Sequence, residues 1–267
     1  MLTVAKNYFR FMKESIKCNL KSILEYKKSF VIQTIFMIAN NFFFLIFWIV
    51  VFAGNGGEIE GLTMNDVLYF WSLPVISYGV AFFFFGGIAK LGKYILEGSL
   101  DTYLTQPKNV LMNVMVSGMD FNAFGDLVYG SVMGLFAVNF DMTRYVILLV
   151  LGIIGAIFYI CVEAIIRLLT IKIGSTDNIE QIYIGTLMIT FATYPEKIYA
   201  NFAKGLMYTI IPSAYIAFVP IKFVQTLDFK YLLLLLTATC VIVAITFTFS
   251  KQMLRKYESG NNISMRS

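Results

Sequence analysis

Long apolar runs broken by short polar stretches set the pattern of this chain. Runs at 29–53, 67–89, 144–169 and 230–250 reach the ~20 residues an α-helix needs to cross the hydrocarbon core of a bilayer. Two weaker runs, 121–140 and 179–194, bring the predicted spans to six. Span two contains Pro74, which should kink it, and span five stops at Pro195. Three other stretches break the pattern. In residues 1–28, Ala5, Phe9, Met12, Ile16, Leu20 and Ile23 recur at steps of three and four, giving one apolar stripe. Lys6, Arg10, Lys13, Lys17 and Lys21 follow one residue later as a basic stripe. Between spans two and three, residues 96–108 are polar and charged. Leu100, Tyr103 and Leu104 share one face there, Ser99 or Thr102 can cap, and Pro107 stops the chain, so a short amphipathic helix is predicted. Residues 195–229 hold Pro195, Pro212 and Pro220 around an apolar piece, 205–221, which is short for a span. A re-entrant or interfacial pair of short helices suits it better than a crossing.

Composition supports a membrane protein. Of 267 residues, 58% are hydrophobic and 14% charged, against about 45–50% and about 25% in soluble domains. Mean hydropathy is +0.75. The fold class read from this is an all-α polytopic membrane protein: an amphipathic interfacial helix over 1–28, a six-helix transmembrane domain over 29–250 and a basic tail over 251–267. The first 28 residues lack the uninterrupted apolar core of a cleavable signal. A basic amphipathic helix reads as membrane-surface, drawn to anionic lipid, with a partner protein as the alternative.

The absence of His removes histidine-based catalysis and histidine metal sites. Cys18, Cys161 and Cys240 form no disulfide or metal spacing. No G-x-x-x-x-G-K-[ST] occurs, so the chain has no phosphate cradle of its own. Charge then sets orientation. With the N-terminus inside and six crossings, inside segments hold 16 of the 21 basic residues, as the positive-inside tendency requires. Arg144, Lys197, Lys204, Lys222 and Lys230 remain outside. Both ends, with Arg266 in the tail, and residues 96–108 are thereby expected in the cytosol, and the Gly-rich loop with Glu58, Glu60 and Asp66 outside.

Few residues in the spans carry charge. Asp126 in span three has no partner nearby in sequence, and would sit at the inner headgroup level if that span starts late. Glu163 and Arg167 are four apart near the inner end of span four, in the favourable order for a helical pair. They are either an internal ion pair that locks packing or a gate or cargo-entry site. Gly130-Ser131-Val132-Met133-Gly134 permits close helix packing. The aromatic runs 42–44 and 82–85 either line a hydrophobic path or face lipid and neighbouring helices.

Two stretches carry a family resemblance. Gly98-Ser99-Leu100-Asp101-Thr102-Tyr103-Leu104-Thr105-Gln106-Pro107 resembles the G-(S/T)-L-D-x-x-L-x-x-P signature of ABC-2-type permeases, the membrane subunits of ATP-binding-cassette exporters. Tyr194-Pro195-Glu196-Lys197-Ile198-Tyr199, with Ile211-Pro212-Ser213-Ala214-Tyr215 and Val219-Pro220, is similar to that family's pattern before its last span. Gln106 departs from it, since Arg is frequent there. The resemblance implies that 96–108 is a coupling helix entering a cleft on a separate ATPase subunit, which binds ATP and Mg. It implies Glu97 and Asp101 pairing with basic residues of that partner, and Leu100, Tyr103 and Leu104 as apolar anchors. It also implies short re-entrant helices on the outer side, and a second permease, identical or related. No catalytic residue, cofactor or metal of its own is expected, nor nucleic acid as a partner, and the setting is the plasma membrane. The alternative function is a self-contained secondary transporter or channel, with Asp126, Glu163 and Arg167 as its few candidate ion sites.

Overall fold

The computed structural model describes residues 2–57, 59 and 62–258. Glu58, Glu60, Arg266 and the side chains of Ala5 and Lys197 lie outside the described residues. The described chain is helical, with one isolated bridge between Ile59 and Leu62. In order come α1 (Leu2–Glu25), α2 (Lys27–Gly54), α3 (Met64–Phe85), α4 (Leu91–Leu96), α5 (Asp101–Leu104), α6 (Val110–Met115), α7 (Asn122–Ala137) and α8 (Met142–Ile173). Then follow α9 (Asp177–Ile182), α10 (Ile189–Thr193), α11 (Asn201–Tyr208), α12 (Phe218–Thr226) and α13 (Phe229–Leu254). A 3-10 turn, Gly86–Lys90, carries α3 into α4, and a π turn, Tyr183–Met188, joins α9 to α10.

Three of the long helices, α3, α8 and α13, start at side-chain caps. Thr63 and Asp66 form a capping box at α3, each side chain satisfying the other's backbone N–H. Asp141 accepts from the amides of Thr143 and Arg144 at α8, and Asp228 from that of Lys230 at α13. Among the described residues, four helical stretches are long and apolar enough to cross a membrane: α2, Met64–Leu96, α8 and α13. The pair formed by α11 and Pro212–Thr226 passes the same test only when joined, and it is bent by 68°. The runs read as spans three and five form shorter helices. α7 has 16 residues, about 24 Å at 1.5 Å per residue.

Glycines bring these helices together. A Cβ on Gly79 would lie 2.8 Å from the Leu127 Cα, and one on Gly130 would lie 3.0 Å from the Ser72 carbonyl. A Cβ on Gly86 would meet the Asp120 amide at 2.8 Å, so α7 runs antiparallel to α3 along most of its length. The Gly130 to Gly134 pattern therefore does face a neighbouring helix. α8 runs alongside α3 in the same direction: Gly152 meets Ile76, Gly155 meets Ser77, and Gly92 meets Arg167 and Thr170. The core between them is closed by Phe158, Tyr159 and Phe218.

The expected helix over 96–108 is a correction. Only Asp101–Leu104 is helical, its first flanking residue is Leu100, and neither Ser99 nor Thr102 caps it. Gly98 explains the difference. It ends α4 with φ 72°, in the left-handed region that favours glycine, and the Leu100 amide returns to the Tyr94 carbonyl at 3.0 Å. The chain thereby turns back on itself before a longer helix can form.

Candidate functional site

Three groups of polar side chains stand out. The first lies at the end of the bundle that holds α1 and the end of α13. Here the stretch 97–108 is braced from several sides. Leu100 is fully buried in the chain's own core, so it cannot serve as an exposed anchor for a partner, contrary to the sequence expectation. Tyr103 stacks on Tyr94 with ring centroids 5.2 Å apart. Leu104 is 38% exposed. Glu97 is exposed and stands 3.7 Å from Lys93 on its own helix. Asp101 lies beside the Tyr257 phenol, which burial and this carboxylate push up to about 12. Gln106 bonds within the chain. It donates to the Thr102 carbonyl and accepts from the Asn113 amide at 2.6 Å.

α1 rests against the same turn. The Asn109 N–H donates to the Tyr8 hydroxyl at 2.9 Å, and the Asn19 amide to the Val116 carbonyl at 3.0 Å. The Lys108 ammonium sits 3.3 Å from the centroid of Phe11, within cation–π range. The predicted apolar stripe is split. Ile23 is buried, whereas Phe9 is 72% exposed.

The second group is an ion cluster around Arg167. Its Nε meets Glu163 at 2.7 Å, one terminal nitrogen pairs with Asp177, and the other meets Glu180 at 3.3 Å. Glu163 is fully buried. Asp177, at the water-facing turn, is held below the usual carboxylate range by the Ser175 hydroxyl and by Arg167. Glu163 and Arg167 thus form an ion pair inside the bundle, in the order their spacing favours. Asp177 and Glu180 escape the sequence reading because the turn at Gly174 hides their proximity.

Asp126 belongs to the third group, within the bundle and packed against α2. Its Oδ1 accepts from the Asn41 amide at 2.7 Å, and Oδ2 has no hydrogen-bond partner among the described residues. Both residues are buried. A cavity of about 180 Å³ opens beside them, lined also by Asn40, Trp71, Tyr78 and Tyr159. The sequence reading misses Asn40 and Asn41. Their signal is a pair of amides at the centre of an apolar run.

A protein-family model described as ABC-2 family transporter protein matches residues 30–261. The chain belongs to the ABC-2 transporter family. No curated protein and no solved structure matches it. The chain is thus an ABC transporter permease, a multi-pass membrane subunit and not itself the catalytic unit.

The permease's proline-rich segment folds back on itself. Pro195 precedes a 3-10 turn, Pro212 opens another, and Pro220 sits in the first turn of α12, where a missing N–H costs no helical bond. Lys222 pairs with Glu196 at 2.5 Å. Gln225 reaches Asp66 at 3.4 Å, while Ile216 comes beside Gly155 and Phe158 stacks on Tyr215.

Proposed function

We propose that this permease forms part of the path of an exporter and that a separate ATPase, carrying ATP and Mg, drives it through residues 97–108. The observation that carries the reading is the bracing of this turn. α1, α6, Tyr94 and Tyr257 hold it against the ends of the long helices, so a push on its exposed side is transmitted as a rigid displacement. Glu97 and Leu104 are the exposed groups offered to the partner, and Tyr103 and Asp101 stiffen the turn behind them. ATP binding would close the ATPase subunits, move this turn, and shift two permeases between inward and outward openings. The second permease is identical or related.

The topology proposed with it has six crossings with both ends in the cytosol of a plasma-membrane protein. Its supports are the antiparallel run of α7 along α3 and the contact of Tyr257 with Asp101. That contact puts the end of α13 on the same side as 97–108, which needs an even number of crossings between them. α11 and α12 then form an outer re-entrant pair, consistent with the return from Ile216 beside Gly155 to Gln225 beside Asp66. α1, with Phe9 exposed and its basic residues alongside, would lie on the anionic inner leaflet.

The test is co-purification of the ATPase with a Glu97→Arg/Leu104→Asp permease. The expected result is a loss of at least about tenfold, roughly 1.4 kcal/mol, at normal permease yield. Full retention of the ATPase would overturn the coupling assignment. Thr143→Cys should react with an impermeant maleimide from outside the cell and Thr105→Cys should not; the reverse would overturn the orientation.

A further inference from the structure

The cavity beside Asp126 has a chemistry of its own. Asn40 and Asn41 lie at the midpoint of α2, which runs from Lys27 to Gly54, so each is about 20 Å from either end of that helix. Asn41 is 2% and Asp126 3% exposed. One carboxylate oxygen is held by an amide, and the other has no hydrogen-bond partner among the described residues. None of the ion pairs found among those residues involves Asp126. A carboxyl group inside an apolar helix bundle is costly to leave in this condition, and such groups mark functional sites by default. Three aromatic rings, Trp71, Tyr78 and Tyr159, line the same space. The Trp71 ring is backed by Phe44, stacked at 3.6 Å between centroids. Tyr78 and Tyr159 stand edge to face at 5.6 Å.

We propose that this cavity binds the ammonium head of a cationic, amphiphilic cargo, with Asp126 as its counter-ion and Trp71, Tyr78 and Tyr159 as its aromatic walls. The proposal rests on the permease reading and names the class of molecule carried. Aromatic faces attract organic cations within about 6 Å of the ring centroid, Trp most strongly. Anions are excluded by the carboxylate. A bare metal ion is poorly served, because hard cations want six or more oxygen ligands, whereas the walls here are chiefly carbon. The volume suits a compact head group: a cavity of about 150 Å³ already accepts benzene. Asn40, exposed on α2 beside the cavity, marks the side from which a head group enters, its tail remaining among the exposed apolar side chains of α2 such as Phe36 and Phe43. Asn41 positions the carboxylate and does not itself need to touch the cargo.

The experiment uses the full chain in lipid nanodiscs, without ATP or ATPase, and titrates benzyltrimethylammonium against its uncharged isostere neopentylbenzene. Trp48→Phe leaves Trp71 as the single indole, and its emission reports binding. The expected result is a saturable change with the cation, at least tenfold weaker with the isostere and at least tenfold weaker in Asp126→Asn. Equal binding of the two probes to the otherwise unaltered chain, measured by calorimetry, would overturn the proposal whether or not Asp126→Asn folds. So would an unchanged affinity in a folded Asp126→Asn chain, which would mean that Asp126 is a neutral acid and the cavity merely apolar. Because no ATPase is present, failure here leaves the coupling assignment standing, and failure of co-purification leaves this site standing.

Discussion

Glu163 and Asp126 are both carboxylic acids inside apolar helices, yet their surroundings are opposite. Glu163 lies against the Arg167 guanidinium, and Arg167 reaches on to Asp177 and Glu180. One oxygen of Glu163 also lacks a hydrogen bond, but a cation stands beside it, and α4 packs so closely that a Cβ on Gly92 would come within 3.3 Å of the Arg167 Cδ. Asp126 has a single neutral amide and an adjoining cavity. We read the difference as that between a lock and a receptor. A charge whose counter-charge is supplied by the fold holds helices together; a charge left with space beside it is available to something that arrives.

The largest effect should come from removing the fold's own counter-charge. Arg167→Leu strands Glu163 in the core, and loss of one partner of a buried pair costs about 3–5 kcal/mol. Thermal unfolding of the purified permease in detergent should register this as a large fall in midpoint. Glu163→Leu/Arg167→Leu should recover most of it, because the stranded charge goes too. A single variant as stable as the native chain would show that the cluster is not a lock.

Next in size is the seam on which both sites depend. Gly79→Ala places a methyl 2.7–2.8 Å from the backbone of Leu127. No rotamer can relieve a clash with main chain, so α3 and α7 must part, at a cost of about 1–3 kcal/mol by the usual measure of overpacking. The same shift would move Asp126, one residue before Leu127, away from Asn41. Both the unfolding midpoint and benzyltrimethylammonium binding should therefore fall. A change in neither would show that the seam is looser than the glycine contacts indicate.

Sequence pattern goes far here where structure repeats, and fails where the chain turns. The four long helices are legible because apolar length is a local property, and the caps at Thr63, Asp141 and Asp228 are polar residues at the starts of those runs. The partners of Arg167 are not legible. Asp177 and Glu180 are ten and thirteen residues on, and only the turn at Gly174, with φ 79°, brings them back. Spacing puts Leu100 on one helix face and the family resemblance turns that face towards a partner, but spacing gives a face without its direction. The reversal at Gly98 points that residue inward. The amides at 40 and 41 are hidden inside a run whose average is apolar, although a polar pair at mid-span is the more informative observation.

Asp126→Asn should affect stability far less than Arg167→Leu. The replacement keeps shape and the acceptor used by Asn41, and it removes a carboxyl group that has no cationic partner among the described residues. Its unfolding free energy should fall by no more than about 1 kcal/mol, the scale of one hydrogen bond, and removal of the costly buried carboxylate works in the stabilising direction. A loss as large as that of Arg167→Leu would erase the distinction between the two sites.

The smallest effect lies at the water-facing edge of the lock. Asp177 titrates below the ordinary carboxylate value because the Ser175 hydroxyl and Arg167 favour its charged form. A depressed folded-state value contributes stability that is present above the unfolded value, about 3.9, and is lost as pH falls through the folded one. Asp177→Asn should therefore lower the unfolding midpoint slightly at neutral pH and flatten its decline below about pH 4. The side chain is 76% exposed, so solvent screens the interaction and the change should stay within the 0–1 kcal/mol or so of exposed pairs. Arg167 keeps Glu163 in this variant, so the lock should hold. A loss approaching that of Arg167→Leu would move the centre of the cluster from the buried pair to its exposed rim, and with it the basis for contrasting Glu163 with Asp126.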